Sequence, residues 1–439
     1  MINKELEILN DLQKGIKVEK NSNLESLVNY SPNSDLPIHR WFKYREGYSI
    51  DLITSLIDDN DTKILDPFCG CGSTLIGSKI KNKNAVGIDI NPISVFVSKV
   101  KVENYSKNDL NDIKICSESI LSSQSLKKIE KPSLKILDKA FHPEILEQLL
   151  RLRWRIDRIE NQKSRNFIFL AFISVIESLS NTFKEGNGLK YKSTKRTPKG
   201  YIKIPLDQWY EENLPKNKIE YVNNTLQEKI NLMISDVLQS DFSNSKTEVI
   251  RGDAQKISNY VDKDSISLTV FSPPYCNCFD YYEIFKLELW LGGFVTSYQE
   301  LRCERRLALR SNTNTDLSRP VENYDSLETI LELINGNDIW NKKIPSLIRG
   351  YFTDMDKTLQ EIFKVTKKNG RCIIIVGNSA YGGVLVPTDL MLAKIAKLRG
   401  FQVEKIVVAR HLTTSSQQKK KLESVKDYLR ESLVCLKKI

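Results

Sequence analysis

Asp66-Pro67-Phe68-Cys69-Gly70-Cys71-Gly72-Ser73 carries more structural information than any other stretch of the chain. Just before it, Lys63-Ile64-Leu65-Asp66 reads as a buried strand, and an apolar helix is expected from about Ser73. Glycines in such a loop let backbone approach a ligand closely, and the helix N-terminus behind it offers free N–H groups. Next, Ala85-Val86-Gly87-Ile88-Asp89 reads as a second buried parallel strand ending in an acid, and Pro92 opens another helix. Strand, loop, helix and strand in this order form a βαβ unit, the opening of a doubly wound sheet.

Upstream, residues 1–20 carry the pattern of an amphipathic helix, and a polar linker follows through residue 37. Ser49 is placed to cap a short helix with Ile50, Ile53, Leu56 and Ile57 on its buried face. Downstream, the sheet pauses. Residues 105–245 read as mostly helical, with helices over 142–160, 164–183 and 218–238. Between the last two lies a basic stretch, 184–203, in which Pro198 and several glycines predict a loop or hairpin. Strand patterns resume at 247–251 and 267–271, then a helix over 345–366 and a strand over 371–376. A helix over 388–398 and strands at 403–409 and 432–436 complete the chain. The predicted class is α/β, a Rossmann-like doubly wound sheet with a mostly helical insertion. The segments are 1–37 (helix and linker), 38–104 and 246–439 (two parts of the sheet domain), and 105–245 (the insertion).

The chain has 439 residues, more than the roughly 100–200 of one ordinary domain, which leaves room for such an insertion. Its net charge of +11 suits a polyanionic partner, because Lys and Arg displace counterions from phosphates. The longest apolar stretch, 167–176, is half the roughly 20 residues that a membrane span requires, so no membrane role is expected. The charged N-terminus and eight cysteines without a secretory signal place the chain in the reducing cytoplasm.

Asp89 ends its strand about 20 residues after the glycine loop, where an acid accepts hydrogen bonds from ribose hydroxyls. A third acid, Asp253, follows the strand at 247–251 and is a candidate acceptor for an adenine amine. Three acids at neighbouring strand ends outline a nucleoside pocket, and the absence of Gly-x-Gly-x-x-Gly argues against NAD. These motifs resemble those of the S-adenosylmethionine-dependent DNA amino-methyltransferases. Their first motif has the form Asp-Pro-Phe-x-Gly-x-Gly-Ser/Thr, and Gly87-Ile88-Asp89-Ile90-Asn91-Pro92 matches their ribose-acid pattern. The stretch 39–49 (HRWFKYREGYS) resembles the segment that closes over the methionine end of the cofactor. The resemblance covers roughly residues 38–100 and 247–439. It implies S-adenosyl-L-methionine as cofactor, with Asp66, Phe68, Gly70, Gly72, Asp89 and Asp253 as its binding residues.

The chemical centre is Ser272-Pro273-Pro274-Tyr275, directly after a buried strand at the edge where open α/β sheets bind ligands. An exocyclic base amine is a poor nucleophile because its lone pair is conjugated with the ring. Ser272 Oγ and the Pro273 carbonyl are placed to accept its two N–H protons and turn the lone pair forward. Pro273 and Pro274 stiffen the loop, and Tyr275 offers a face for stacking. Such geometry requires the base to leave the duplex. Phe279, Tyr281 and Tyr282 are further candidates for the pocket wall. In the resembled family, Ser in the first position is commoner for cytosine N4, and Asn or Asp for adenine N6. Cytosine C5 chemistry is not expected, since it uses a Cys directly after the Pro, where Tyr275 stands here. Cys69, Cys71, Cys276 and Cys278 are spaced more tightly than zinc ligands, and no metal is expected.

Site-specific methylation of double-stranded DNA also needs a reading surface. The candidates are the basic stretch, with Lys190, Lys192, Lys195, Arg196, Lys199 and Lys203, and a later segment with Arg302, Arg305, Arg306 and Arg310. The Lys419–Lys421 run is expected in an exposed loop. The insertion precedes Asp253, which departs from the usual motif orders of the family. The resemblance further implies a restriction-modification or related defence role, with a restriction endonuclease as partner. Two rival readings stand beside it: an RNA amino-methyltransferase acting on guanine N2 or adenine N6, and a non-catalytic DNA-binding subunit.

Overall fold

A computed structural model describes residues 2–44, 46–123, 129–198, 200–240, 245–413 and 420–439. Its first strands are β1 (Val18–Lys20), β2 (Lys63–Asp66) and β3 (Asn84–Asp89). Two small hairpins follow, β4–β5 (Thr182–Glu185, Gly188–Tyr191) and β6–β7 (Thr194–Thr197, Gly200–Lys203). Then come β8 (Thr247–Arg251), β9 (Ile266–Phe271) and β10 (Thr366–Gly377). A third hairpin, β11–β12 (Ser379–Tyr381, Val384–Val386), precedes β13 (Phe401–His411) and β14 (Arg430–Lys438).

Eight strands form one sheet in the order β1-β13-β14-β10-β9-β2-β3-β8. β2, β3, β8, β9 and β10 pair in parallel, and β14 runs antiparallel to both its neighbours. Chain order therefore runs outward from β2 to β8 on one side and from β9 through β10 on the other. The reversal between β2 and β9 leaves a crevice at their carboxyl ends, the place where doubly wound sheets take ligands. The sheet class expected from the sequence is the one observed.

Helices cover both faces, so the inner strands are apolar runs rather than alternations; β9 is buried at all six positions. β10 shows how the faces divide. Ile373 and Ile375 enter one core with Ile53, Leu75 and Phe167, while Ile374 and Val376 enter another with Phe352, Leu359 and Leu390. The long helices Pro143–Ile156, Gln162–Leu179 and Lys218–Gln239 belong to residues 105–245, yet Ile145, Phe172 and Leu226 share the first core with Ile64 and Leu268 of the sheet. The insertion is fused to the sheet domain by packing, each buried side chain of this size contributing about 1.5–3 kcal/mol.

The N-terminal reading needs correction. The helix spans Ile2–Gln13 and stops before Gly15, whose φ is +77°. Val18–Lys20 then extends the sheet in parallel beside β13, with Val18 opposite Ile406. The stretch to residue 37 is no solvated linker, because Val28 and Tyr30 are buried in the first core. In the basic stretch, the expected loop or hairpin is two consecutive hairpins, β4–β5 and β6–β7. Among the described residues no helix is long and apolar enough to cross a membrane. Lys199, Lys419 and Arg45, which figured in the basic stretch, the lysine run and the 39–49 segment, lie outside the described residues.

Candidate active site

Two cavities adjoin at the sheet's crevice, sharing Glu46, Gly47, Ser272 and Tyr281 in their walls. The first is completed by Tyr44, Tyr48, Phe68, Gly70, Asp89 and Asn91, among others. The second adds Pro273, Tyr275, Phe279, Arg410 and Glu431.

The loop after β2 builds the floor of the first cavity. Gly70 adopts φ +49°, and a Cβ there would lie 3.2 Å from the Tyr44 ring, so the position accepts only a bare backbone. Its N–H donates to Asp89 Oδ2 at 2.9 Å, its carbonyl accepts from Ser98 Oγ at 2.7 Å, and the Asn91 N–H donates to Asp89 Oδ1 at 2.8 Å. Burial pushes the Asp89 carboxyl up to about 6, against the lowering effect of these backbone donors. Asn91 caps the helix Pro92–Val102 through its side-chain oxygen.

Several expected residues act one layer back. Asp66 is 1% exposed and does not line the cavity; it accepts from Tyr48 Oη at 2.9 Å, Thr74 Oγ1 at 2.6 Å and the Phe68 N–H at 3.0 Å. Its carboxyl, raised by burial to about 6, ties the 39–49 segment to the glycine loop. Gly72, at φ +88°, packs against Ser98, where a Cβ would come within 3.2 Å of Oγ. Asp253 stands past the end of β8, beside β3 as expected, but accepts from the Gln255 N–H at 2.9 Å as a helix cap and does not line the cavity. Short polar side chains beside a free N–H satisfy it first.

The second cavity is shaped by the chain leaving β9. Tyr275 Oη donates to Glu431 Oε1 at 2.6 Å, and its ring lies over Gly377, where a Cβ would come within 3.0 Å. Tyr281 stacks on Tyr44 with centroids 6.0 Å apart, and Phe279 meets Tyr281 edge-on at 4.8 Å. Phe279 and Tyr281 thus line the second cavity, and Tyr281 and Tyr282 the first. Cys276 is fully buried, its thiol held well above the usual range, and its carbonyl accepts from Tyr381 Oη at 2.8 Å. Among the described residues no three His, Cys, Asp or Glu side chains converge as a metal-holding group.

The structure divides the expected DNA-facing cations. Lys190, Lys195, Arg196, Arg302 and Arg306 are exposed, Arg306 reaching Asp316 at 3.3 Å. Lys192 is instead committed to the carbonyls of Glu177, Ser178 and Ser180, at 3.2, 3.3 and 2.6 Å, where it caps the end of the Gln162–Leu179 helix. Arg305 is drawn inward by Asp280 at 2.9 Å and Glu283 at 3.0 Å, and Arg310 is buried against Asp354 at 2.8 Å. Arg410, Glu431, Ser311 and Asn312 line the cavities without having been singled out by sequence. None carries a local motif: sheet order brings Arg410 and Glu431 to the site, and the loop holding Ser311 and Asn312 is brought there by the Cys278 N–H, which donates to the Ser311 carbonyl at 3.0 Å.

The residues present fit S-adenosylmethionine. A carboxylate faces a largely apolar cavity, a glycine admits close approach, and the Asn91 amide nitrogen and Tyr282 hydroxyl are buried at its wall without a partner among the described residues. Orphaned polar atoms of this kind mark where a polar ligand completes the bonding.

No family model matches the chain. It is 30% identical over 438 residues to the type II methyltransferase M.BsoBI of Geobacillus stearothermophilus, covering 89% of this chain and 84% of that protein. To the type II methyltransferase M.AvaI of Nostoc sp. it is 29% identical over 412 residues, with 87% and 83% covered. Among solved structures, the rRNA methyltransferase aviRa of Streptomyces viridochromogenes aligns with a TM-score of 0.27 and 6% identity, over 89% of this chain and 85% of that one. Similarity at this identity over most of both chains, carried by a fold whose cavities open at the sheet's reversal, places the chain among the type II methyltransferases.

Proposed function

We propose that the protein is a site-specific DNA methyltransferase that methylates the exocyclic amine of an everted base, cytosine N4, within a restriction-modification system of the cytoplasm. Its cofactor is S-adenosyl-L-methionine, which supplies an electrophilic methyl group on a sulfonium. The observation that carries the reading is Ser272 in the wall of both cavities, one fitted to the cofactor and the other open to a base.

Asp89 would accept from the ribose hydroxyls, and Phe68, Tyr44 and Tyr48 would enclose the remainder and exclude water. Gly70 and Gly72 keep the loop shape, with Asp66 and Asp253 as supports rather than contacts. In the second cavity Ser272 Oγ and the Pro273 carbonyl would accept the two amine N–H bonds, which frees the nitrogen lone pair from the ring, and the proton shed on methylation would pass through Ser272 Oγ to solvent. Pro274 and the Tyr275–Glu431 bond fix the loop, so the rate comes from positioning and preorganised acceptors. Phe279 and Tyr281 supply aromatic walls for the everted base. Lys190, Lys195, Arg196, Arg302 and Arg306 hold the duplex by its phosphates.

Incubation with tritiated S-adenosylmethionine and duplex DNA, single-stranded DNA or RNA, followed by digestion and mass identification of the nucleoside, tests the reading. N4-methylcytosine in duplex DNA is the expected product. Label confined to RNA would replace the proposal with an RNA amino-methyltransferase, and no label at all would leave a binding subunit.

A further inference from the structure

Arg410 and Glu431 form a pair that methyl transfer itself does not use. They face each other across β13 and β14, and Gly377 at the end of β10 is the other neighbour of Glu431. Sheet order thus carries them to the carboxyl edge on which Ser272 lies, one residue beyond β9, and all three line the second cavity. Glu431 is 3% exposed and is held twice, by Tyr275 Oη at 2.6 Å and by Arg410 Nε at 2.5 Å. Nε is the only guanidinium nitrogen so used; among the described residues no acceptor meets the two terminal nitrogens. The Arg410 side chain is 31% exposed and lines the second cavity, so it remains open to an entrant.

We infer that Arg410, oriented by Glu431, reads the base in the second cavity and selects cytosine over adenine. This rests on the reading that the cavity takes an everted DNA base. Beside its N4 amine, cytosine presents two acceptors in a row, N3 and O2. A guanidinium is donor-only and forked, and its terminal nitrogens match that pair bidentately. Adenine presents beside N6 a single acceptor, N1, and then a C2–H, so one donor would lose water and gain nothing. Lysine offers a point charge and no fork. Glu431 neutralises the arginine, so that the cavity does not hold a lone cation. Recognition and chemistry are joined through Tyr275, whose hydroxyl ends on the same carboxylate and whose backbone continues the Ser272 loop.

The test uses the full-length enzyme on duplex oligonucleotides built around a site mapped from wild-type product, with cytosine or adenine at the target position. Methylated nucleosides are identified by mass and kcat/KM is measured for each. Arg410→Ala is expected to cut cytosine methylation about 100-fold while cofactor affinity stays within about twofold. Arg410→Lys, which retains the ion pair with Glu431, is expected to recover less than about a tenth of that loss. Arg410→Gln is expected to shift the cytosine-to-adenine ratio toward adenine by about tenfold, because one amide donor serves cytosine N3 or adenine N1 alike and leaves cytosine O2 without the second. An unchanged ratio in all three variants would overturn the inference. So would an equal loss on every DNA, the mark of a phosphate contact or a purely structural ion pair. A wild-type enzyme that methylates adenine overturns base selection by Arg410 but leaves DNA methylation standing; one that methylates no DNA overturns both.

Discussion

Ser272 borders both cavities, and its hydroxyl is the acceptor assigned to one amine proton. Replacing it by Ala is expected to lower kcat by about 10²–10³, the usual cost of one preorganised partner. Cofactor affinity should change less than about threefold, as checked by single-turnover rates beside equilibrium binding; equal losses would mean that Ser272 holds the cofactor instead. Asp89 gives a pH signature. Its carboxyl titrates at about 6 in the folded chain, above the ordinary 3.8. Ribose hydroxyls prefer the anion, so binding is fully expressed well above 6 and is lost as the pH falls through that value. Affinity should drop about tenfold per unit below it. Asp89→Asn has no proton to gain: it should bind about 10–100-fold more weakly at pH 8 and fall less steeply below 6, the remaining fall belonging to Asp66, whose carboxyl also stands at about 6. That Phe68, Gly70, Asp89 and Ser272 share one cavity wall was legible in the sequence, because loop and strand end are local, a few residues of backbone either side. That Asp66 stands behind the cavity wall could not be read from the sequence, because its partners Tyr48 and Thr74 are fixed only by folding. Arg410 gave no signal at all, since an arginine at a strand end looks the same whether it faces solvent or a cavity.

The β4–β5 hairpin is an element whose placement depends on one buried cation. Lys184 pairs with Glu288 and, at 3.2 Å, with Glu177, and its ammonium lies 4.5 Å from the centre of the Phe285 ring. Glu288 is 2% exposed on the Lys286–Leu291 helix just beyond the catalytic loop, so the pair ties the hairpin to the site. Lys184→Met leaves Glu288 buried with its main partner gone, at a cost of about 3–5 kcal/mol. Adding Glu288→Leu removes the stranded charge, and the double variant should regain most of that loss. Urea unfolding followed by circular dichroism checks both; a double variant as unstable as the single one would place the cost elsewhere. The sequence marked this hairpin as a basic surface stretch, and Lys184 at its start shows why composition misleads. A lysine in a polar run is read as solvated, but a long stem lets the ammonium reach an acid 104 residues away in the chain. β1 was missed for a simpler reason. Three residues are too few to display a period of two, and Val18–Lys20 becomes a strand only because β13 offers it an edge.

At the scale of the whole molecule, charge and architecture were the most legible features, because a buried parallel sheet writes itself as apolar runs and a net charge of +11 needs no fold to be counted. What the total could not show is where that charge is free. Lys184, Lys192, Arg305 and Arg310 are all spent on internal partners. The β6–β7 ribbon is different. Residues 194–203 hold four basic residues and no acid, β7 is exposed along its length, and Tyr201 is 72% exposed. Cross-strand register places Arg196 with Tyr201 and Thr194 with Lys203 on one face, and Lys195 with Ile202 on the other. A two-stranded ribbon of this kind fits a major groove, with cations along the phosphates on either side. Each phosphate contact contributes about 0.9 to the slope of log affinity against log salt. Combined Lys195→Ala, Arg196→Ala and Lys203→Ala should therefore lower the slope by about 2–3, with cofactor affinity unaltered. Lys192→Ala and Arg305→Ala, whose cations face inward, should leave it unchanged. Titration of labelled duplex between about 50 and 200 mM salt measures both sets. A slope that moves for the inward pair and not for the ribbon would relocate the DNA to another face.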